Sequence, residues 1–334
     1  MKRAMSTAGI VEESGGDSPI LGPVAQRVLI SGGAGFIGSH LADAYLAAGW
    51  TVAVLDNFST GHRAYPPPKA TLFEVDLRDA ARVQAAVAAF KPDVISHHAG
   101  QINVRKSLND PLTDASVNLL GGLILLEAAI RNEVGQFIFA STGGAIYGDD
   151  APRPTSEEAP THPISPYGLS KLAFEEYLQV LGRLNPITAT VFRYANVYGP
   201  RQIVEGEAGV IAIFTECLLS GRAPLLYGTG ENTRDYIHVA DVVAANLLVT
   251  GSAERGPFNL GTGGATSVSD LYAQIQEAAG IHITPQPAPG RPEEITHSSL
   301  DASRFRQSFG WEPKVPLAEG IARTVRWFAE KRER

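Results

Sequence analysis

The stretch VLISGGAGFIGSHLADAYLAAGW, Val28 to Trp50, sets four glycines within seven residues between an apolar β-branched run and a helical pattern. Few folds use such a junction. The spacing Gly32-x-x-Gly35-x-x-Gly38 allows a tight turn, lets backbone amides approach a pyrophosphate with no Cβ between, and permits close helix–strand packing. A helix starting there points the positive end of its dipole at the same spot. Taken alone the loop is weak evidence, since purely structural turns use glycine too. The second strand, TVAVLD, ends in Asp56, 18 residues beyond Gly38, where a carboxylate accepts hydrogen bonds from both ribose hydroxyls of an adenosine and repels a 2′-phosphate. NAD is therefore favoured over NADP. Arg63 is near enough to meet a phosphate but reads as a solvated loop arginine.

The same rhythm continues along the chain. TVAVLD and TLFEVD are followed by a helix ending at Phe90, the strand DVISHHA, the helix Asn118 to Asn132, and the strand QFIFAST. Short β-branched runs alternating with amphipathic helices imply βαβ units, hence a doubly wound α/β fold with a parallel Rossmann-type sheet covered on both faces. Beyond Asn196 the elements shorten and Pro and Gly increase, as expected for a smaller α/β substrate-binding domain, while GPFNLGTG reads as a strand that rejoins the large sheet. The expected division is a mobile tail over 1–26, an NAD-binding domain over 27–196 plus about 235–262, and a substrate-binding domain over 197–234 plus 263–334. At 334 residues, 44% hydrophobic and 19% charged, the chain has the composition of a globular protein with a large core. No uninterrupted apolar run reaches the ~18 residues of a membrane span. A net charge of −7 argues against a nucleic-acid partner, which needs clustered Lys and Arg. The sole cysteine, Cys217, lies in an apolar helical stretch and reads as a buried structural thiol, consistent with a reducing cytoplasm. No metal site is read from the sequence.

A second constellation is SPYGLSK, with Tyr167 and Lys171 four residues apart and so on one face of a helix. An ammonium close to a phenol favours the phenolate, and an oxidised nicotinamide pushes the same way, so Tyr167 is expected to act as a base well below its free pKa of about 10. Tyr-x-x-x-Lys pairs also occur by chance. What singles this one out is FIFAST, which ends a strand with Ser141 and Thr142 some 25 residues upstream, in reach of the same substrate hydroxyl; Thr142 is the preferred partner and Ser141 the second choice.

Together these segments resemble the extended short-chain dehydrogenase/reductase family, most closely its NAD-dependent nucleotide-sugar epimerase and dehydratase branch. The likeness runs through the glycine loop, LDNFSTG from Leu55, VDL with Asp76 and Leu77, HHAG from His97, Asn118, SPYGLSK, RYANVYGPRQ from Arg193, RDYIHVAD from Arg234 and GRPEE from Gly290. It implies NAD contacts from Gly32, Gly35, Phe36, Ile37, Gly38, Asp56, Asn57, Asp76, Leu77, His98, Ala99, Gly100, Asn118, Tyr167 and Lys171. It also implies a UDP-sugar substrate held by Asn196, Tyr227, Arg234 and Arg291, and a homodimer formed through the helices of Asn118 and Tyr167. Asp235, Tyr236, His238 and Asp241 read as domain-joining residues, and His97 and His98 as satisfied strand-end histidines.

Members of that branch that eliminate water or decarboxylate carry a carboxylate beside the strand-end hydroxyl, because their chemistry needs an extra acid or base. Here the sequence is STGGAIYGD, with Gly143 and Gly144 in that place. The expected reaction is thus interconversion of UDP-glucose and UDP-galactose by oxidation and re-reduction at C4. The alternatives are a dehydratase or decarboxylase that draws its acid from elsewhere, and a non-catalytic NAD-binding sensor. By the same resemblance Ser298 lines the pocket around the sugar C2 substituent, where its small size leaves room for an N-acetyl group.

Overall fold

The computed structural model describes residues 26–333 apart from 205–208 and 291–294, so all of the expected tail except Gln26 lies outside the described residues. Seven parallel strands form the main sheet, in the spatial order Phe258–Leu260, Thr188–Tyr194, Gln136–Thr142, Val94–His97, Arg27–Ser31, Thr51–Asp56 and Thr71–Glu74. The strand expected in GPFNLGTG does rejoin the sheet, with Phe258 paired to Phe192 at its edge. Chain direction across the sheet reverses between Arg27–Ser31 and Val94–His97, and a crevice for a ligand opens at such a switch point.

Alternation along each strand builds two cores. Leu29, Ala53, Leu55, Ile95, Phe137 and Phe139 face the helices Ala80–Phe90, Gly121–Arg131 and Pro166–Leu184. Val28, Ile30, Val52, Val54 and Ile138 face Phe36–Ala47 and Val239–Val249 on the other side. A third cluster, around Phe214, Leu271, Ile275 and Ile321, joins helices Val210–Leu219, Val268–Ala279 and Leu317–Glu333. Cys217 sits on the first of these helices and is half-buried rather than buried, because that helix packs through Phe214 and Leu218.

Two carboxylates join the parts. Asp235 accepts from Thr262 N and Oγ1, Gly263 N and Leu300 N, and Asp241 accepts from Lys314 N and Val315 N. The helix expected from Asn118 starts earlier, at Pro111 behind the Asp110 cap, and passes through a π-helical turn at Ser116–Leu120. Pro111–Arg131 is long and apolar enough by composition to cross a bilayer, with mean hydropathy 1.4, yet it lies against the sheet-covering helices Ala80–Phe90 and Pro166–Leu184.

Candidate active site

At the switch point the glycine loop closes on itself, with Gly32 N donating to Leu55 O at 2.8 Å and Gly35 N to Gly32 O at 3.0 Å. Gly32 has φ +71°, and a methyl group there would stand 2.5 Å from Ala99 N. Asp56 ends the adjacent strand nearly buried, its oxygens accepting from Ala34 N at 3.0 Å and Phe58 N at 2.8 Å. Burial raises its pKa while those two amides lower it. Arg63 is turned away onto Glu74 at 2.6 Å, both groups exposed. A side-chain-free cradle beside an acceptor, with the nearby arginine engaged elsewhere, fits the diphosphate and unphosphorylated ribose of NAD. Farther along the crevice Asn57 donates to Asp76 at 3.0 Å, and Leu77 is buried behind the helix of Asn118. The Arg78 side chain beside Asp76 holds that carboxyl well below its ordinary range.

His97 ends its strand and His98 follows it, but the expectation that both are satisfied fails for His97, whose buried Nε2 has no hydrogen-bond partner among the described residues. His97 is buried among Phe137, Phe139 and Phe174 with Nδ1 hydrogen-bonded to Ser31 at 2.6 Å. His98 lies between Ser96 and Tyr194, and burial lowers it to about 3.

Tyr167 and Lys171 both project from the first turns of Pro166–Leu184, which Ser165 caps and Pro166 starts. The Tyr167 phenol is hydrogen-bonded to the Thr142 side chain, so the preferred hydroxyl is the one at the site. Ser141 is the corrected assignment: its hydroxyl donates to Glu175, two turns farther along the same helix, rather than meeting Tyr167. The expectation of a low phenol pKa also needs correction for the protein alone. Burial pushes Tyr167 up to about 12, and among the groups that shift it only the Thr142 hydrogen bond lowers it. Lys171 Nζ donates to Ala140 O at 3.0 Å, and burial brings it down to about 8.

Gly143 and Gly144 follow Thr142 as the first residues of a short helical turn. A side chain at 143 would run into Leu300, whereas 144 opens toward Thr142 and Asn196, whose oxygens lie 3.9 and 3.8 Å from where its Cβ would stand. Asn196 is exposed and faces this opening. Arg234 Nη1 donates to Thr233 O at 2.9 Å and Thr296 O at 3.2 Å, so in the free chain it lies along the rim. Ser298, buried, is pinned through its amide to Thr233 O at 3.1 Å. Tyr227 is met by the Arg105 guanidinium 5.8 Å above its ring, a contact across the cleft that the sequence reading did not include. Arg291 lies outside the described residues.

Two buried carboxylates were also missed. Glu175 accepts from Arg193 at 2.7 and 3.0 Å, and Asp114 accepts from Asn118 at 3.1 Å and Gln101 at 2.9 Å. Each stands four residues from a residue already singled out, Lys171 and Asn118, and that helical spacing was the available signal.

A model of the NAD dependent epimerase/dehydratase family matches residues 28–261. The chain belongs to this family. It is 44% identical over 311 residues to a UDP-glucose 4-epimerase of Mycolicibacterium smegmatis, covering 91% of this chain and 99% of that one. The crystal structure of UDP-glucose 4-epimerase from Thermotoga maritima with UDP-glucose superposes with TM-score 0.89 at 43% identity, over 92% of this chain and 99% of that one. The Thermus thermophilus UDP-glucose 4-epimerase in complex with NAD gives 0.87 at 46%, over 91% and 99%. The seven-stranded sheet is thus that of an NAD-dependent family enzyme.

Proposed function

We propose that this enzyme is a UDP-hexose 4-epimerase that interconverts UDP-glucose and UDP-galactose. The observation that carries this reading is the composition of the site around Tyr167. One phenol, one hydroxyl and one buried ammonium stand there, and the two positions after Thr142 are glycines with no carboxylate. Elimination of water or carbon dioxide needs a further acid or base in that place; moving a hydride off C4 and back does not. Bound NAD supplies the acceptance and return of that hydride. Tyr167 Oη takes the proton of the sugar 4-hydroxyl, Thr142 Oγ1 shares a hydrogen bond at the same oxygen, and Lys171 favours the phenolate. The 4-keto sugar then turns about its link to the diphosphate, presenting the opposite face of C4, and Tyr167 returns the proton to O4. Asn196, Tyr227, Arg234 and Arg291 hold the nucleotide diphosphate, arginine being suited by its fork of donors. A firm grip on the nucleotide and a loose one on the hexose permit the turn.

On this reading residues 27–196 with about 235–262 hold the cofactor and the remaining segments hold the nucleotide sugar. The buried joining carboxylate Asp235 agrees with a boundary in that region. A cytoplasmic location is consistent with a single cysteine. A homodimer is supported by the apolar side chains left on two adjacent helices: Leu112, Leu120, Leu169 and Leu184 are 83%, 54%, 58% and 74% exposed. Sedimentation equilibrium should give twice the chain mass, and a monomer at micromolar concentration would refute the pairing.

The activity test is incubation of the purified protein with UDP-galactose and detection of UDP-glucose without added reductant. UDP-N-acetylglucosamine is expected to be a second substrate, because the Ser298 side chain is small where it lines the sugar pocket. Ser298→Tyr should lower kcat/KM for the N-acetyl sugar about tenfold or more while sparing UDP-glucose. Absence of turnover on either UDP-hexose sinks the epimerase reading, and a wild type blind to the N-acetyl sugar sinks the pocket assignment.

A further inference from the structure

Asp114 lies on the helix in front of the π-helical turn, 1% exposed, and takes no part in the chemistry just described. One of its oxygens, Oδ1, accepts from Asn118 Nδ2 at 3.1 Å and from Gln101 Nε2 at 2.9 Å. The other, Oδ2, is buried with no hydrogen-bond partner among the described residues. A buried carboxylate oxygen without a donor is costly unless a nearby positive charge offsets it. Such a charge is close by. Asn118 Nδ2 also approaches Ser170 Oγ at 3.4 Å, next to Lys171, and its Oδ1 accepts from Gln101 N at 2.8 Å. From the Cβ direction of Gly100, Asn118 Oδ1 lies at 2.9 Å and Lys171 Nζ at 3.3 Å, so the amide paired with Asp114 and the ammonium flank one point.

We propose that Asp114 is a positioning residue for the epimerase reaction: its buried carboxylate is the fixed counter-charge that keeps Lys171 an ammonium beside Tyr167, and through Asn118 it sets the Gly100–Gln101 backbone against that ammonium. A hydrophobic residue at 114 would remove the larger of the two carboxylate charges that offset the burial of Lys171, the other being Glu175. The other charged neighbours contribute less. Glu175, one turn beyond Lys171, also raises it but is hydrogen-bonded to Arg193 and Ser141, and burial keeps His97 and His98 neutral. Arg105 and Lys106 lie on the adjoining short helix, Arg105 against Tyr227. Electrostatically Asp114 raises the pKa of both Lys171 and Tyr167.

That double action gives a signature no structural role would produce. The two limbs of the pH profile of the NAD-bound enzyme report the Tyr167 phenol, which must lose its proton, and the Lys171 ammonium, which must keep one. Removing the carboxylate charge lowers both pKa values, so the whole bell moves to lower pH without widening. Asp114→Asn keeps an acceptor for Asn118 and Gln101; both limbs of its kcat/KM profile should shift acidward by about one pH unit. Asp114→Glu retains the charge, and its limbs should stay near wild type while the rate falls. Bound NAD content and a melting curve establish that each variant is folded, and Asp114→Ser serves if the asparagine variant is not. Limbs that stay in place in the folded neutral variants, with only the height reduced, overturn the proposal. The proposal rests on Tyr167 and Lys171 serving C4 epimerisation. Failure of the wild type to turn over UDP-galactose removes that reading, whereas unshifted limbs in an active enzyme remove only the counter-charge.

Discussion

Tyr167→Phe should abolish nearly all turnover of UDP-galactose while leaving the folded protein charged with NAD. Loss of a general base costs about 10²- to 10⁴-fold in rate. The substitution deletes one oxygen and keeps the ring, the helix and the Lys171 bond to Ala140 O at 3.0 Å. Cofactor content by absorbance after denaturation and kcat from a coupled assay separate the two effects. Thr142→Val removes only the hydroxyl bonded to Tyr167, a group whose loss is worth about 1–3 kcal/mol, or about tenfold to a hundredfold in rate. The order of severity therefore matters as much as either value. If the phenylalanine variant turns over within a factor of a few of wild type, or if the valine variant is the more damaged, Tyr167 is not the base.

Arg193→Met should be the most destabilising single change at the site's foundation. The guanidinium is 5% exposed and Glu175 is fully buried; Arg193 Nη2 and Nε meet one carboxylate oxygen at 2.7 and 3.0 Å, and Nη1 donates to Tyr147 Oη at 2.9 Å. Tyr147 in turn donates to Asn259, which holds the carbonyls of Thr155 and Asp301. Removing the cation leaves Glu175 a buried charge with Ser141 as its remaining donor, a loss of about 3–5 kcal/mol. Chemical denaturation at neutral pH measures it. The paired variant Glu175→Leu with Arg193→Met removes both charges and should recover much of that stability, because a buried ion pair gains little over apolar packing whereas an unpaired charge loses heavily. A double variant as unstable as the sum of its two parts would show that the ion pair itself, rather than the orphaned charge, carries the cost.

The parts of this protein that could be read directly were those where local chemistry and chain order coincide. Gly32, Gly35 and Gly38 between a strand and a helix, Asp56 at the next strand end, and Tyr167 with Lys171 on one helix all lie within single segments, and each is placed in the structure where its segment predicts. Thr142 over Ser141 was preferred without a decisive reason. The packing decided it, since the Ser141 hydroxyl is taken up by the buried Glu175 while the Thr142 hydroxyl meets Tyr167.

What the sequence determined by itself was the doubly wound sheet, the glycine loop that opens its first βαβ unit and the pairing of Tyr167 with Lys171 on one helix face. These depend on hydrophobic periodicity and on contacts between residues four apart or one loop away, which a chain carries in its order. Tertiary structure alone decided the electrostatics. Asp114, Arg193 and the Lys171–Glu175 helix come from three different elements, and none of these side chains is unusual as a residue in a sequence. Only when the sheet and helices pack does water leave them, and each charge then depends on which opposite charge the fold has set against it. The phenol's base strength belongs to the same class: burial raises Tyr167 to about 12, so the countering charge has to be supplied by what the folded crevice holds beside it.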